Sequence, residues 1–160
     1  MRDDSGVSDP IEFRPVPAGE PPASDLIGAM VDELERFYGR IDRPGMPSAT
    51  PDDFAPPAGI CLVGFDGDGP VCVGAIKRLD VGLAEFKRMY VAPAGRSRGL
   101  ARRLLIALED AARDLGYTRV RLDTGPEQPH AKALYLSAGY TEIKNYNANP
   151  AASFWAEKDL

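Results

Sequence analysis

Apolar and polar residues alternate over residues 11–16, the period of a strand, and Pro15 near its end marks an edge. The period then changes. Leu26, Ile27, Met30, Val31, Leu34, Phe37 and Tyr38 recur at spacings of three and four, which predicts a helix capped by Ser24 and stopped by Gly39. Residues 60–65 form an unbroken apolar run and predict a buried strand. Asp66-Gly67-Asp68-Gly69-Pro70 is a turn cluster, and residues 71–79 return as the next strand. Val81-Gly82 permits another tight turn before a third strand over residues 83–91. A second helical stripe follows: Leu100, Leu104, Leu108, Ala111 and Leu115 on one face, with Arg102, Glu109, Asp110, Arg113 and Asp114 on the solvent side and Gly116 as the stop. Residues 118–123 alternate as a strand, which the intervening helix makes parallel to residues 83–91. A shorter helix over residues 128–137 and strands over 141–144 and 153–158 close the chain.

These elements predict one α/β domain over residues 10–160 behind a loose polar tail, residues 1–9. Its sheet of six or seven strands is mixed and mostly antiparallel, with helices on both faces. Two adjacent parallel strands with a helix start between them must splay, and ligands of open α/β sheets bind in such a crevice. The segment from residue 41 to 59 carries Pro44, Pro47, Pro51, Pro56 and Pro57 and reads either as a surface loop or as a substrate-binding loop.

Composition narrows the function. Among 160 residues, 44% are apolar and 27% charged, and no run is long enough to span a membrane. The N-terminus lacks the apolar stretch of a signal peptide. A formal net charge of -5 without a basic stripe argues against nucleic acid. Cys61 and Cys72 sit among small and β-branched residues, and a hairpin with Phe65 opposite Val71 sets Cys61 opposite Ala75, so a disulfide is not expected and a cytoplasmic location is. One histidine and two separated cysteines give no metal-ligand spacing.

Against that acidic background, Arg96, Arg98, Arg102 and Arg103 crowd one junction, where the strand ending at Val91 passes through a glycine-containing loop into the long helix. Backbone N–H groups and the positive end of the helix dipole converge there, which suits a phosphate. No Gly-x-x-x-x-Gly-Lys-Ser/Thr or Gly-x-Gly-x-x-Gly is present, which counts against a nucleotide-binding module of another kind.

The pattern Arg96-x-x-Gly99-x-Ala101 resembles the pyrophosphate loop of the GNAT N-acetyltransferase superfamily. A second segment carries the same resemblance: Ala131, Leu134, Tyr135, Gly139 and Tyr140 match the family, with Gln128 where asparagine is usual. The resemblance covers about residues 60–160. It implies that Arg96, Ser97, Arg98, Gly99, Leu100, Ala101 and Arg102 hold the pyrophosphate of acetyl-coenzyme A, that Met89, Tyr90 and Val91 line its pantetheine arm, and that Gln128 and Ala131 complete the site. It also aligns Tyr135 with the tyrosine that protonates the departing thiolate, and Glu85 with the general base of histone-acetylating members. Strand alternation puts Glu85 on one face with Lys87, Met89 and Val91; a surface pairing with Lys87 or Arg88, or a water chain as the base, stays open, as does a packing role for Tyr135. His130 reads as a cap or surface residue.

The function expected is transfer of an acetyl group to a primary amine, on a small molecule or peptide, by direct attack in a ternary complex. The alternative is a non-catalytic acyl-coenzyme A-binding or sensor domain. Asp42, Asp52, Asp53 and Glu142 favour a cationic amine. No membrane or nucleic-acid partner is expected, and a homodimer is left open.

Overall fold

The structure, a computed structural model, describes residues 11–39, 49–126 and 128–160. The tail over residues 1–9, Asp42 and the first part of the proline-rich segment lie outside the described residues. Seven strands form one sheet: β1 (Glu12–Pro15), β2 (Ile60–Asp66), β3 (Gly69–Asp80), β4 (Leu83–Val91), β5 (Arg119–Thr124), β6 (Thr141–Ile143) and β7 (Phe154–Asp159), in the order β1-β2-β3-β4-β5-β7-β6. Three helices join them: α1 (Ala23–Tyr38), α2 (Leu100–Asp114) and α3 (Pro129–Ser137). Every strand pairing is antiparallel except β4 with β5. That is the mixed sheet expected, with the parallel pair at its centre.

Apolar alternation sorts the side chains onto two faces. Phe86, Leu104, Leu105, Leu108, Val120, Leu122 and Phe154 form one core beneath α2, with Tyr135 of α3 at its edge. Leu26 and Ile27 of α1 cover Val63, Val73, Ala75 and Tyr90 on the other face. Cys61 lies opposite Ala75, as expected, and its thiol belongs to the α1 face while that of Cys72 belongs to the α2 face.

Four local readings need correction. Helix α1 begins one residue before Ser24, because the turn is already under way: Ser24 N–H donates to Glu20 O and Leu26 N–H to Pro22 O. A register shift after Gly64 pairs Phe65 with Pro70 rather than Val71. Glu109 is not on the solvent side; it is buried, because Tyr140 Oη (2.8 Å) and Lys158 Nζ (3.1 Å) both donate to its carboxylate.

The fourth correction matters most. Ala75 faces Lys87 and Val73 faces Tyr90, so β4 advances three residues where β3 advances two. This bulge at Arg88, whose φ is 56°, inverts the alternation of β4. Glu85 and Lys87 therefore lie on the face opposite Phe86, while Met89 and Val91 pack with the α2-side core. Glu85 does not share a face with Met89 and Val91. Pairing between β4 and β5 covers only Leu83, Ala84 and Glu85, after which the strands part.

Candidate active site

Beyond Glu85, β4 keeps β3 on one side and has no strand among the described residues on the other. Its backbone polar groups there are open to a ligand that can add to a strand edge. A cavity of about 490 Å³ occupies the gap, lined by Met30, Val31 and Leu34 of α1, Glu85 to Met89 of β4, Asp123 of β5 and Tyr135 of α3. Phe86 and Tyr135 belong to the α2-side core while Glu85 faces away from it, so the cavity passes between the parted strands. The C-terminal half of α1 supplies an apolar wall here; Phe37, placed on the same stripe by the sequence, is instead 54% exposed.

Glu85 is 2% exposed and sits in a polar cluster. Tyr146 Oη donates to its Oε2 at 2.5 Å and Asn147 Nδ2 at 3.5 Å. Lys87 Nζ lies 3.5 Å from Glu85 Oε1 and 3.8 Å from Asp123 Oδ2. Asn147 and Asn149 also donate to Asp123, and Trp155 Nε1 donates to Asn147 Oδ1 at 2.9 Å. Burial, then the charge of Glu85 and the hydrogen bond to it, raise the Tyr146 phenol well above its ordinary value, so it stays a donor to that carboxylate.

Tyr135 lies on the other side of the gap, 6% exposed. Its hydroxyl donates to the Met89 thioether sulfur at 3.6 Å. Burial first and the Asp123 charge second push its pKa upward, so the phenol keeps its proton across the neutral range.

The loop before α2 forms as the sequence predicts. Ser97 (φ 64°) and Gly99 (φ 71°) are both left-handed, and Gly99 is the N-cap of α2. A Cβ at Gly99 would meet nothing within 4 Å, so glycine serves conformation here and leaves the approach clear. The N–H groups of residues 97–102 have no acceptor among the described residues. Three of the four arginines are individually tied down. Arg96 pairs with Glu33 of α1 at 2.7 Å and lies 5.7 Å from the Tyr90 ring centroid. Arg98 pairs with Asp66 at 2.9 Å, and Arg102 donates to Ser137 Oγ of α3. They brace the loop against three other elements while its N–H groups stay free.

The cavity thus brings together Glu85, Met89, Gln128, Ala131 and Tyr135. Tyr90, Val91 and residues 96–102 do not line it. The Tyr90 side chain is buried under α1, and Val91 O accepts from Arg96 Nε at 3.1 Å. The Gln128 side-chain oxygen accepts from Thr124 Oγ1 and Gly125 N, holding the turn between β5 and α3. Leu100 is buried, whereas Ala101 and His130 are exposed. Asp52, Asp53 and Glu142 are exposed and outside the cavity lining, so these three acids do not draw a cationic amine from there.

Sequence reasoning left open a surface pairing of Glu85 with Lys87, which forms but with Glu85 buried, and it missed Asp123, Tyr146, Asn147 and Asn149. The only signal was the asparagine spacing in Asn145-Tyr146-Asn147-Ala148-Asn149. Each of those amide oxygens accepts a backbone N–H two or three residues on, which folds the segment into consecutive turns.

Residues 27–140 match the model of the Acetyltransferase (GNAT) family. An IAA acetyltransferase of Azospirillum brasilense is 34% identical over 149 residues, 89% of this chain and 96% of its own. Among solved structures, a GNAT-family acetyltransferase of Staphylococcus aureus superposes with a TM-score of 0.75 at 16% identity, covering 94% of this chain and 99% of its own. A GNAT-family acetyltransferase of Elizabethkingia anophelis, solved with acetyl-CoA bound, gives 0.67 at 17% identity over 95% and 99%. At those identities the structural likeness speaks of the fold alone.

Proposed function

Since the chain belongs to the GNAT acetyltransferase family, we propose that it transfers an acetyl group from acetyl-coenzyme A to a primary amine by direct attack in a ternary complex. The observation that carries this reading is the through-sheet cavity, which holds a buried carboxylate from one face and a buried phenol from the other. The residues also fit the coenzyme: the free N–H groups of residues 97–102 at the start of α2 suit its pyrophosphate, and the unpartnered edge of β4 around Met89 suits an amide-rich arm. Acetyl-coenzyme A supplies an acyl carbon open to attack by an amine and a thiolate that leaves.

Each residue then has a task. Glu85 accepts the proton of the attacking amine at its carboxylate, which Tyr146 and Lys87 hold in place. Tyr135 donates a hydrogen bond toward the leaving sulfur; it already donates to a sulfur, that of Met89. An acyl-enzyme is not needed. Cys61 and Cys72 are buried, lie outside the cavity lining, and have thiols pushed up by burial to about 11, so neither is a ready thiolate.

The test is a thermal-shift titration with acetyl-coenzyme A, with ATP and NAD as controls, followed by coenzyme A release with an amine panel. Ligand at about 100 times its Kd adds roughly 2.7 kcal/mol, a rise of roughly 5–10 °C for a domain of this size. A saturable rise with acetyl-coenzyme A alone and amine-dependent release are expected; no shift, or one with ATP instead, would refute the proposal.

A further inference from the structure

We infer that the acceptor amine also carries a carboxylate, and that Arg88 receives it. This rests on the proposed acetyl transfer and names the acceptor class for the same cavity.

Arg88 stands at the bulge of β4 with φ 56°, a conformation that non-glycine residues seldom adopt and that clusters at ligand sites. Arg88 lines the cavity, as does Ala49, whose carbonyl its guanidinium meets. One guanidinium nitrogen donates to Ala49 O at 2.7 Å, and Cζ lies 5.3 Å from the centroid of the buried Phe54 ring. These two contacts fix the fork and occupy little of its donor capacity. No carboxylate of the described residues forms an ion pair with it.

The remaining charges in the cavity are arranged differently. Glu85 and Asp123 share Lys87, closing an ionic group at one end. Lys77 lines the cavity as well, opposite Glu85 in the strand register. Among the described residues the lining therefore holds three cations (Lys77, Lys87 and Arg88) against two carboxylates, and the excess lies with Arg88 and Lys77. The carboxylate that acts on Arg88 among the described residues is that of exposed Asp53, outside the cavity lining and beyond ion-pair distance, and a partly buried guanidinium so weakly compensated is unfavourable. Burial correspondingly draws its pKa below the ordinary arginine value. An incoming carboxylate offsets that cost through paired, charge-assisted hydrogen bonds, for which a planar fork is suited. The same molecule must present its amine toward Glu85. A compact amino acid, or a short peptide with its C-terminus close to the reacting amine, meets both demands.

The experiment compares common amino acids with their carboxamides, their decarboxylated amines and phosphoethanolamine, in wild-type protein, Arg88→Gln and Arg88→Lys. For the best acid, kcat/KM is expected to exceed that of its amide by roughly 10–150-fold, the size of a hydrogen bond to a charged group. That ratio falls to near one in Arg88→Gln and is partly kept in Arg88→Lys. A rise in melting temperature with acetyl-coenzyme A reports that each variant is folded. A residue that merely packed on Phe54 would leave the acid-to-amide ratio unmoved. Equal use of acid and amide, a ratio that survives Arg88→Gln, or preference for phosphoethanolamine overturns the inference. If no amine releases coenzyme A, the acetyl-transfer proposal fails and binding decides alone. An amino-acid-induced thermal shift in the coenzyme A-loaded protein that Arg88→Gln abolishes then supports the inference, and its absence overturns it.

Discussion

Replacing Tyr135 by Phe separates chemistry from binding in this cavity. The hydroxyl's partner is a thioether sulfur at 3.6 Å, a weak acceptor, so removing it should change folding stability by no more than about 1 kcal/mol. For a chain of this size that is within about 4 °C in Tm. The ring stays, and with it the contact to Tyr140 at 5.7 Å between centroids. Turnover should respond far more. Burial and Asp123 hold the phenol's pKa above its ordinary value, which makes complete proton transfer to a thiolate unfavourable and leaves a hydrogen bond to developing charge as the contribution. Such a bond is worth about 1.5–3 kcal/mol, or roughly 10–150-fold in kcat. That lies toward the low end of general-acid effects. The assay is steady-state coenzyme A release at saturating acetyl-coenzyme A, with the thermal shift measured on the same samples. Expected are a reduced kcat, an unchanged acetyl-coenzyme A shift, and no alkaline limb from this residue below about pH 10. An unreduced kcat would show that the phenol only packs, and a lost shift would show that the substitution acts through binding.

Two further outcomes follow from the same geometry. Gly99→Glu places a carboxylate and a strained left-handed residue (about 1–2 kcal/mol) at the N-cap of α2, in open space before the free N–H groups; the acetyl-coenzyme A shift should disappear while circular dichroism stays native, and retained affinity would sink the loop assignment. The second concerns alkaline pH. Buried Cys61 and Cys72 are pushed up to about 11 from an ordinary 9.0, and burial raises the Tyr140 and Tyr146 phenols as well. These groups hold protons in the folded state that the unfolded chain releases, so their contribution is complete below about pH 9 and lost as pH rises toward 11. Melting temperature should fall over that window, with tyrosinate absorbance appearing together with unfolding; ionisation of these groups in the still-folded protein would contradict it.

What could be read from the chain follows from how far apart the interacting residues lie. Strand and helix periods are local, and β4 and the two long helices appear close to where the pattern puts them. That β4 and β5 run parallel follows from connectivity, because a helix lies between them. The loop before α2 is local too, and its two left-handed residues lie inside the motif that signalled it. What escaped was set by tertiary contact. Glu109 sits on a face that periodicity alone exposes, yet Lys158 and Tyr140 arrive from distant segments and bury it with its charge paired. Tyr146 reaches Glu85 across 61 positions, from a segment whose sequence announces turns but not their destination. The bulge at Arg88 shows the same limit most sharply. Nothing in Glu85-Phe86-Lys87-Arg88-Met89 marks one residue as extra, since the count is fixed by the register of β3 alongside. One inserted residue moves Met89 and Val91 to the other face and leaves Arg88 in the cavity. The residues proposed to bind the coenzyme can therefore be read from local motif, while those proposed to face the acceptor depend on register and loop packing, which local sequence does not encode.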